Sequence, residues 1–281
     1  MSIYGRIKDK THEERIEGGL CMHCINDISY APDNGFRGSG DLFLPDEPSG
    51  KPAALVIHGG GWNAMDRKSI TPVSLLLVEC GYAVFSVNYR LLDNAPWPAC
   101  GEDCLAAAKF LLNSIHPTMK RLDCSSILIA GASAGGHLAM WTGLHLAPEK
   151  VRAILSIAGP SDLALYFENP QKWEDSRKKF FGKEEVTEQD LLSASPVHSV
   201  RPGAPPLLCI HSTNDKLVPI EHSRRIVGRY REAGSRAFLA SFPGKGDLHG
   251  IWEEQDGKTD LSERVLVPQV KAAVREFLRT L

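Results

Sequence analysis

Two hydrophobic periods alternate along the chain. Apolar runs of four to eight residues, bounded by Gly, Pro or charges, fall at about 25–30, 39–44, 53–58, 82–88, 125–130, 151–157, 206–211 and 236–242 and predict strands. Segments of helical period at about 68–80, 102–114, 135–146, 221–233 and 262–280 predict helices, with Gly81 and Gly234 placed as helix stops. The later strands read as nearly continuous apolar stretches (ALVIH, YAVFSV, SILIAG, AILSIA, PLLCIH), the pattern of central strands covered on both faces. The expectation is an α/β fold: a doubly wound, mostly parallel sheet of about eight strands flanked by helices. No helical pattern separates the first two strands, which predicts an antiparallel hairpin at one edge. Residues 159–201, rich in Lys, Glu, Pro and aromatics, break the rhythm and predict a small cap or loop insertion within one domain spanning 1–281.

Composition narrows the classes of function. The 281 residues carry Lys+Arg 32 against Asp+Glu 34, a net charge of -2, so no global field attracts phosphate backbones, and nucleic acid is not an expected partner. No run approaches the roughly 18 apolar residues of a membrane span, and the N-terminus is charged where a signal peptide needs an apolar core. Seven scattered cysteines, an odd number, suit a reducing compartment. A cytoplasmic protein is expected, unless a signal has been trimmed away. Nothing in the sequence sets an oligomeric state.

Two glycine motifs carry the chemistry. Gly131-Ala132-Ser133-Ala134-Gly135 follows a strand-like run and opens a helix-like one, where a serine stands clear of a sheet on a sharp turn. His58-Gly59-Gly60-Gly61-Trp62 ends another strand-like run, and three successive glycines imply that something must approach main-chain N–H groups closely. An oxyanion is the expected visitor, with donors from Gly60, Gly61 and Ala134. A phosphate loop fits less well, since no GK[ST] follows.

Serine at neutral pH needs a histidine to take its proton and a carboxylate to orient that histidine. On such a turn the partners come later in the chain, acid before histidine. His137 and His145 lie on the helix leaving Ser133, His211 lies in a strand, and His222 beside Arg224 and Arg225 reads as solvated surface. His249, in the Gly-rich loop FPGKGDLHGIW after the last strand, is the expected base. Asp215, just past a strand end, is the expected acid, with Asp247 as an outside candidate.

These residues resemble the α/β-hydrolase superfamily, in its carboxylesterase branch of hormone-sensitive-lipase-like and bacterial feruloyl or acetyl-xylan esterase-like proteins. The resemblance runs from about Asp41 to Leu281 through DLFLP, HGGGW, GYAVFSVNYRL, DCLAAAKFLL, GASAGGHLA, GPSDL, PPLLCIHSTNDKLVP and PGKGDLHG. It implies a Ser133, Asp215, His249 triad and hydrolysis of a small-molecule carboxylic ester through an acyl-enzyme, without a cofactor. The chain departs from the usual pattern in the acid loop STNDKLVP and in the longer approach GDLHG. The broken insertion points to short-acyl or aryl (feruloyl or acetyl) esters.

The same triad serves an arylformamidase or a prolyl-oligopeptidase-type peptidase, and relatives such as gibberellin receptors bind ligand without catalysis. Trp62 is the expected substrate contact; Trp97, Trp141 and Trp173 are divided between pocket and core. Arg90 reads as a residue that holds loops together through carboxylate pairs, and Asp103 as a complement to a helix N-terminus. Cys21 and Cys24 with Cys100 and Cys104 match no compact zinc module, so no metal is expected.

Overall fold

Side chains that must leave water on both sides force the middle of the chain into a covered sheet. The computed structural model describes residues 11–15, 21–245, 249–253 and 260–281. Its strands are β1 (Thr11–Arg15), β2 (Cys21–Ser29), β3 (Ser39–Pro45), β4 (Pro52–Ile57), β5 (Ala83–Val87), β6 (Asp123–Ala132), β7 (Val151–Ile157), β8 (Leu207–Ser212) and β9 (Ala237–Phe242). They form one sheet in the order β1-β2-β3-β5-β4-β6-β7-β8-β9. β1, β2 and β3 run antiparallel to their neighbours, and every pair from β5 to β9 is parallel. The early hairpin is therefore present, with β1 as an additional edge strand. THEER has no apolar alternation by which periodicity could find it.

Alternate residues of the central strands feed two cores. On one face Leu55, Phe85 and Ile129 pack with α2 (Ala99–Leu112), α3 (Ala134–His145) and α7 (Glu221–Glu232) through Leu111, Leu138 and Tyr230. On the other, Val56, Val84 and Leu128 pack with α1 (Thr71–Glu79) and α8 (Pro268–Leu278) through Leu77, Val270 and Phe277. Cys24 belongs to the second core while Cys100 and Cys104 belong to the first, so the sheet itself separates them. Asp247 lies outside the described residues.

Three helices form one segment within residues 159–201: α4 (Leu163–Tyr166), α5 (Pro170–Phe181) and α6 (Glu188–Ala194). Phe167, Phe180 and Phe181 anchor it on the first core. A buried ring fixes its far end. His137 on α3 donates from Nε2 to the Ala194 carbonyl (2.8 Å) and accepts at Nδ1 from the Trp62 indole (3.1 Å), an arrangement that needs a neutral imidazole. Burial lowers the His137 pKa to about 4, which keeps it neutral. No helix among the described residues is long and apolar enough to cross a membrane.

Candidate active site

Parallel strands deliver their C-terminal ends to one edge of the sheet, and the candidate residues collect there. Ser133 joins β6 to α3 at φ 55 and ψ -125, a left-handed conformation that costs a non-glycine residue free energy. The sharp turn is possible because Gly135 lets α3 press on β4: a Cβ there would sit 2.1 Å from the Ile57 carbonyl oxygen. Ser133 Oγ is in no hydrogen bond among the described residues.

Asp215 follows β8 and turns its carboxylate inward. Oδ1 accepts from the backbone N–H groups of Leu217 and Val218, both at 2.9 Å, and Oδ2 accepts from His249 Nδ1–H at 2.7 Å. Burial alone would raise this carboxyl's pKa, but hydrogen bonds from the His211 and His249 side and the imidazole charge hold it below the usual carboxylate range. His211 stands 3.5 Å from Oδ2, yet its Nε2 is committed to the Val218 carbonyl (2.7 Å) and its Nδ1 to Ser223 (2.7 Å). That leaves His249 as the ring oriented by Asp215 with a nitrogen to spare. With Nδ1 protonated, Nε2 of neutral His249 is the basic atom.

The glycine run lies against the serine turn. A Cβ at Gly59 would be 3.3 Å from Ser133 Cβ. Gly60 has φ +100 and its Cβ would meet the Ala64 carbonyl oxygen at 2.1 Å, so only glycine fits the turn that aims these amides. The N–H groups of Gly60, Gly61 and Ala134 donate to no backbone acceptor among the described residues. Behind the run, Tyr89 OH donates to the His58 and Gly59 carbonyls (3.1 and 3.2 Å), and its ring stacks on His58. Asp103, read as a helix N-terminus complement, is instead the carboxylate partner of Arg90, with Nη2 to Oδ1 at 2.7 Å and Nε to Oδ2 at 2.9 Å.

Two cavities meet at Gly60 and Gly61. One, of about 330 Å³, contains Ser133 and His249 with Met65, Ile70, Leu217 and Ile251. The other, of about 240 Å³, lies under α4 and α5 and is walled by Trp62, Tyr166, Trp173 and Phe180. Trp62 is thus at the site but only 3% exposed, its ring packed edge-on against Tyr166 and Phe180, a supporting wall more than an open contact. Trp173 lines the same cavity, whereas Trp97 and Trp141 pack on each other outside it. Two features escaped the sequence reading. His222 is fully buried, because His222, Ile226 and Tyr230 share the inward stripe of α7 at i, i+4, i+8. Trp252 and Arg264 line the serine's cleft; Arg264 falls in the stretch read as the start of the last helix, which instead pairs with residues 251–253 ahead of a helix that begins at Pro268.

The chain's similarities agree with this geometry. Residues 41–229 match the model of the BD-FAE family, a span that contains the serine and acid positions and stops short of His249. Esterase LipC of Mycobacterium tuberculosis is 28% identical over 74% of this chain and 54% of its own length. The non-reducing polyketide synthase trt4 of Aspergillus terreus is 30% identical over 66% of this chain and 8% of its own. The chain thus spans about half of one relative and under a tenth of the other. Among solved structures, a truncated carbohydrate esterase from gut microbiota matches with TM-score 0.71 at 27% identity, over 81% of this chain and 89% of that one.

Proposed function

The chain belongs to the BD-FAE family of the α/β-hydrolase superfamily, and from that premise we propose that it is a serine esterase built as one domain with the insertion at 159–201. Ser133 Oγ attacks the ester carbonyl carbon while His249 Nε2 takes its proton, and Asp215 stabilises the imidazolium. The oxyanion settles on the N–H groups of Gly60, Gly61 and Ala134, each such donor contributing roughly 3 kcal/mol in a dry site. The imidazolium then protonates the departing alcohol. Water, deprotonated by the same ring, hydrolyses the acyl-enzyme.

One observation carries this reading: a serine on a strained turn, an Asp-oriented histidine and unpaired glycine amides converge on a single cleft. Two small cavities divided by the oxyanion loop support short-acyl or aryl esters, acetyl and feruloyl among them, over long chains. The carbohydrate esterase and LipC likenesses favour an ester over a formamide or peptide. The free cysteines, five of them buried, suit a reducing, cytoplasmic setting.

The test is kcat/KM on p-nitrophenyl acetate, butyrate and decanoate and on methyl ferulate, for wild type and Ser133→Ala. Wild type turns over acetate, butyrate or ferulate faster than decanoate, and the variant, still folded by circular dichroism, loses about 10⁴-fold or more. An equally active variant removes Ser133 from the mechanism.

A further inference from the structure

The cleft that holds Ser133 ends in a cation. Beyond His249 the chain pairs with a later segment as a short antiparallel ribbon. Trp252 is bridged to Leu266, the Glu253 N–H donates to the Val265 carbonyl (2.8 Å), and the Val267 N–H donates to the Ile251 carbonyl (3.1 Å). The ribbon carries Arg264 to the wall of the same 330 Å³ cleft as Ser133 and His249. There the guanidinium lies over the Trp252 ring, 5.5 Å from its centroid. Stacking on the indole holds the planar fork in place while leaving its edge free to donate.

What sets this arginine apart is its place in the cleft, for among the described residues Arg37 and Arg201 also lack a carboxylate but donate to backbone carbonyls. Arg67, Arg90, Arg152, Arg225 and Arg275 all pair with carboxylates at 3.2 Å or less. Arg264 has no carboxylate partner among the described residues, although it is half-buried. The cleft's described lining contains no Asp or Glu, and its other side chains are mostly apolar. A guanidinium facing an apolar, partly desolvated cleft attracts an anion strongly, because neither water nor a protein carboxylate neutralises it fully.

We propose that Arg264 is a specificity-determining residue that binds a carboxylate on the substrate, so that among esters fitting the cleft those bearing a carboxylate remote from the scissile bond are preferred. This rests on the esterase reading above. The carboxylate belongs either to the acyl part, as in a half-ester of a dicarboxylic acid, or to the alcohol part, as in an acylated hydroxyaryl acid. An Arg fork donates two parallel hydrogen bonds to such a group, which also fixes the direction in which the ester enters.

Two near-isosteric pairs test both sources: mono-p-nitrophenyl glutarate against p-nitrophenyl valerate, and 4-acetoxybenzoate against 4-methylphenyl acetate. For wild type, Arg264→Gln and Arg264→Lys, kcat/KM is measured on all four. In one pair the anionic-to-neutral ratio falls about tenfold in Arg264→Gln, the neutral ester stays within about twofold, and Arg264→Lys lies between. The wild-type ratio in that pair also shrinks as salt rises from about 0.05 to about 0.5 M, a measurement that needs no variant. The proposal is overturned by a wild-type ratio indifferent to salt and to Arg264→Gln in both pairs, or by equal losses on the charged and neutral esters. If the neutral esters are still cleaved in that event, the hydrolase reading survives without it. If wild type cleaves none of the four, both fall.

Discussion

At single residues, burial and hydrogen bonding set charge states in opposite directions. Asp215 is kept ionised by the imidazole and amide donors around it, while His58, His137 and His222 are kept neutral, burial being the largest cause in each. Their pKa values fall to about 4, about 4 and about 3. The unfolded chain protonates these rings near 6.5, so as pH falls below that value it binds protons that the folded chain refuses. Stability is therefore complete above about pH 6.5 and is lost as pH drops toward 4, by about 2 kcal/mol per ring at pH 5. Urea unfolding at pH 7, 6 and 5 reads this directly. The expected slope approaches three protons taken up on unfolding near pH 5, and a flat profile from pH 7 to 5 would refute the neutral assignment.

Among the elements, the antiparallel edge is tied to the candidate-site side of the sheet by Arg67. Its guanidinium, 3% exposed, pairs with Asp41 of β3 at 2.7 Å and with Asp27 of β2, and it donates to Ser39 Oγ at 3.1 Å. Its backbone N–H donates to Asn88 Oδ1 just beyond β5. Arg67→Ala strands the Asp41 carboxylate in the interior, with an expected loss of about 3–5 kcal/mol by chemical denaturation. Arg67→Ala with Asp41→Asn recovers part of it; a single variant as stable as wild type would show the pair to be idle. The central strands from β4 to β8 were legible because both faces are buried and the sequence must be apolar throughout. β1 was not, since an edge strand is held by its ladder to β2 and THEER carries no inward face in its pattern. α5 was equally hidden: half of PQKWEDSRKKFF is charged, and it seats itself by Phe180 and Phe181 at its end. The last helix starts at Pro268, later than its period suggests, because Val267 is taken by the ribbon with Ile251.

For the whole molecule, the candidate site is assembled from loops that β4, β6, β8 and β9 send to one edge, which is why residues as far apart in sequence as Gly60 and His249 could be read together. The serine, acid, histidine and glycine positions were legible because each needs an unusual residue beside a strand end. The ribbon bearing Arg264 and the His137 link to Ala194 were not, since both depend on tertiary pairing with no local signature. The account stands on Ser133 being the nucleophile of that composite site. A fluorophosphonate probe titrated against enzyme, with activity followed and the labelled peptide identified by mass spectrometry, tests this most directly. The account predicts one phosphonyl adduct per chain, on Ser133, with esterase activity lost in proportion and no labelling of Ser133→Ala. Labelling at another residue, or full activity in an enzyme fully labelled on Ser133, would contradict it.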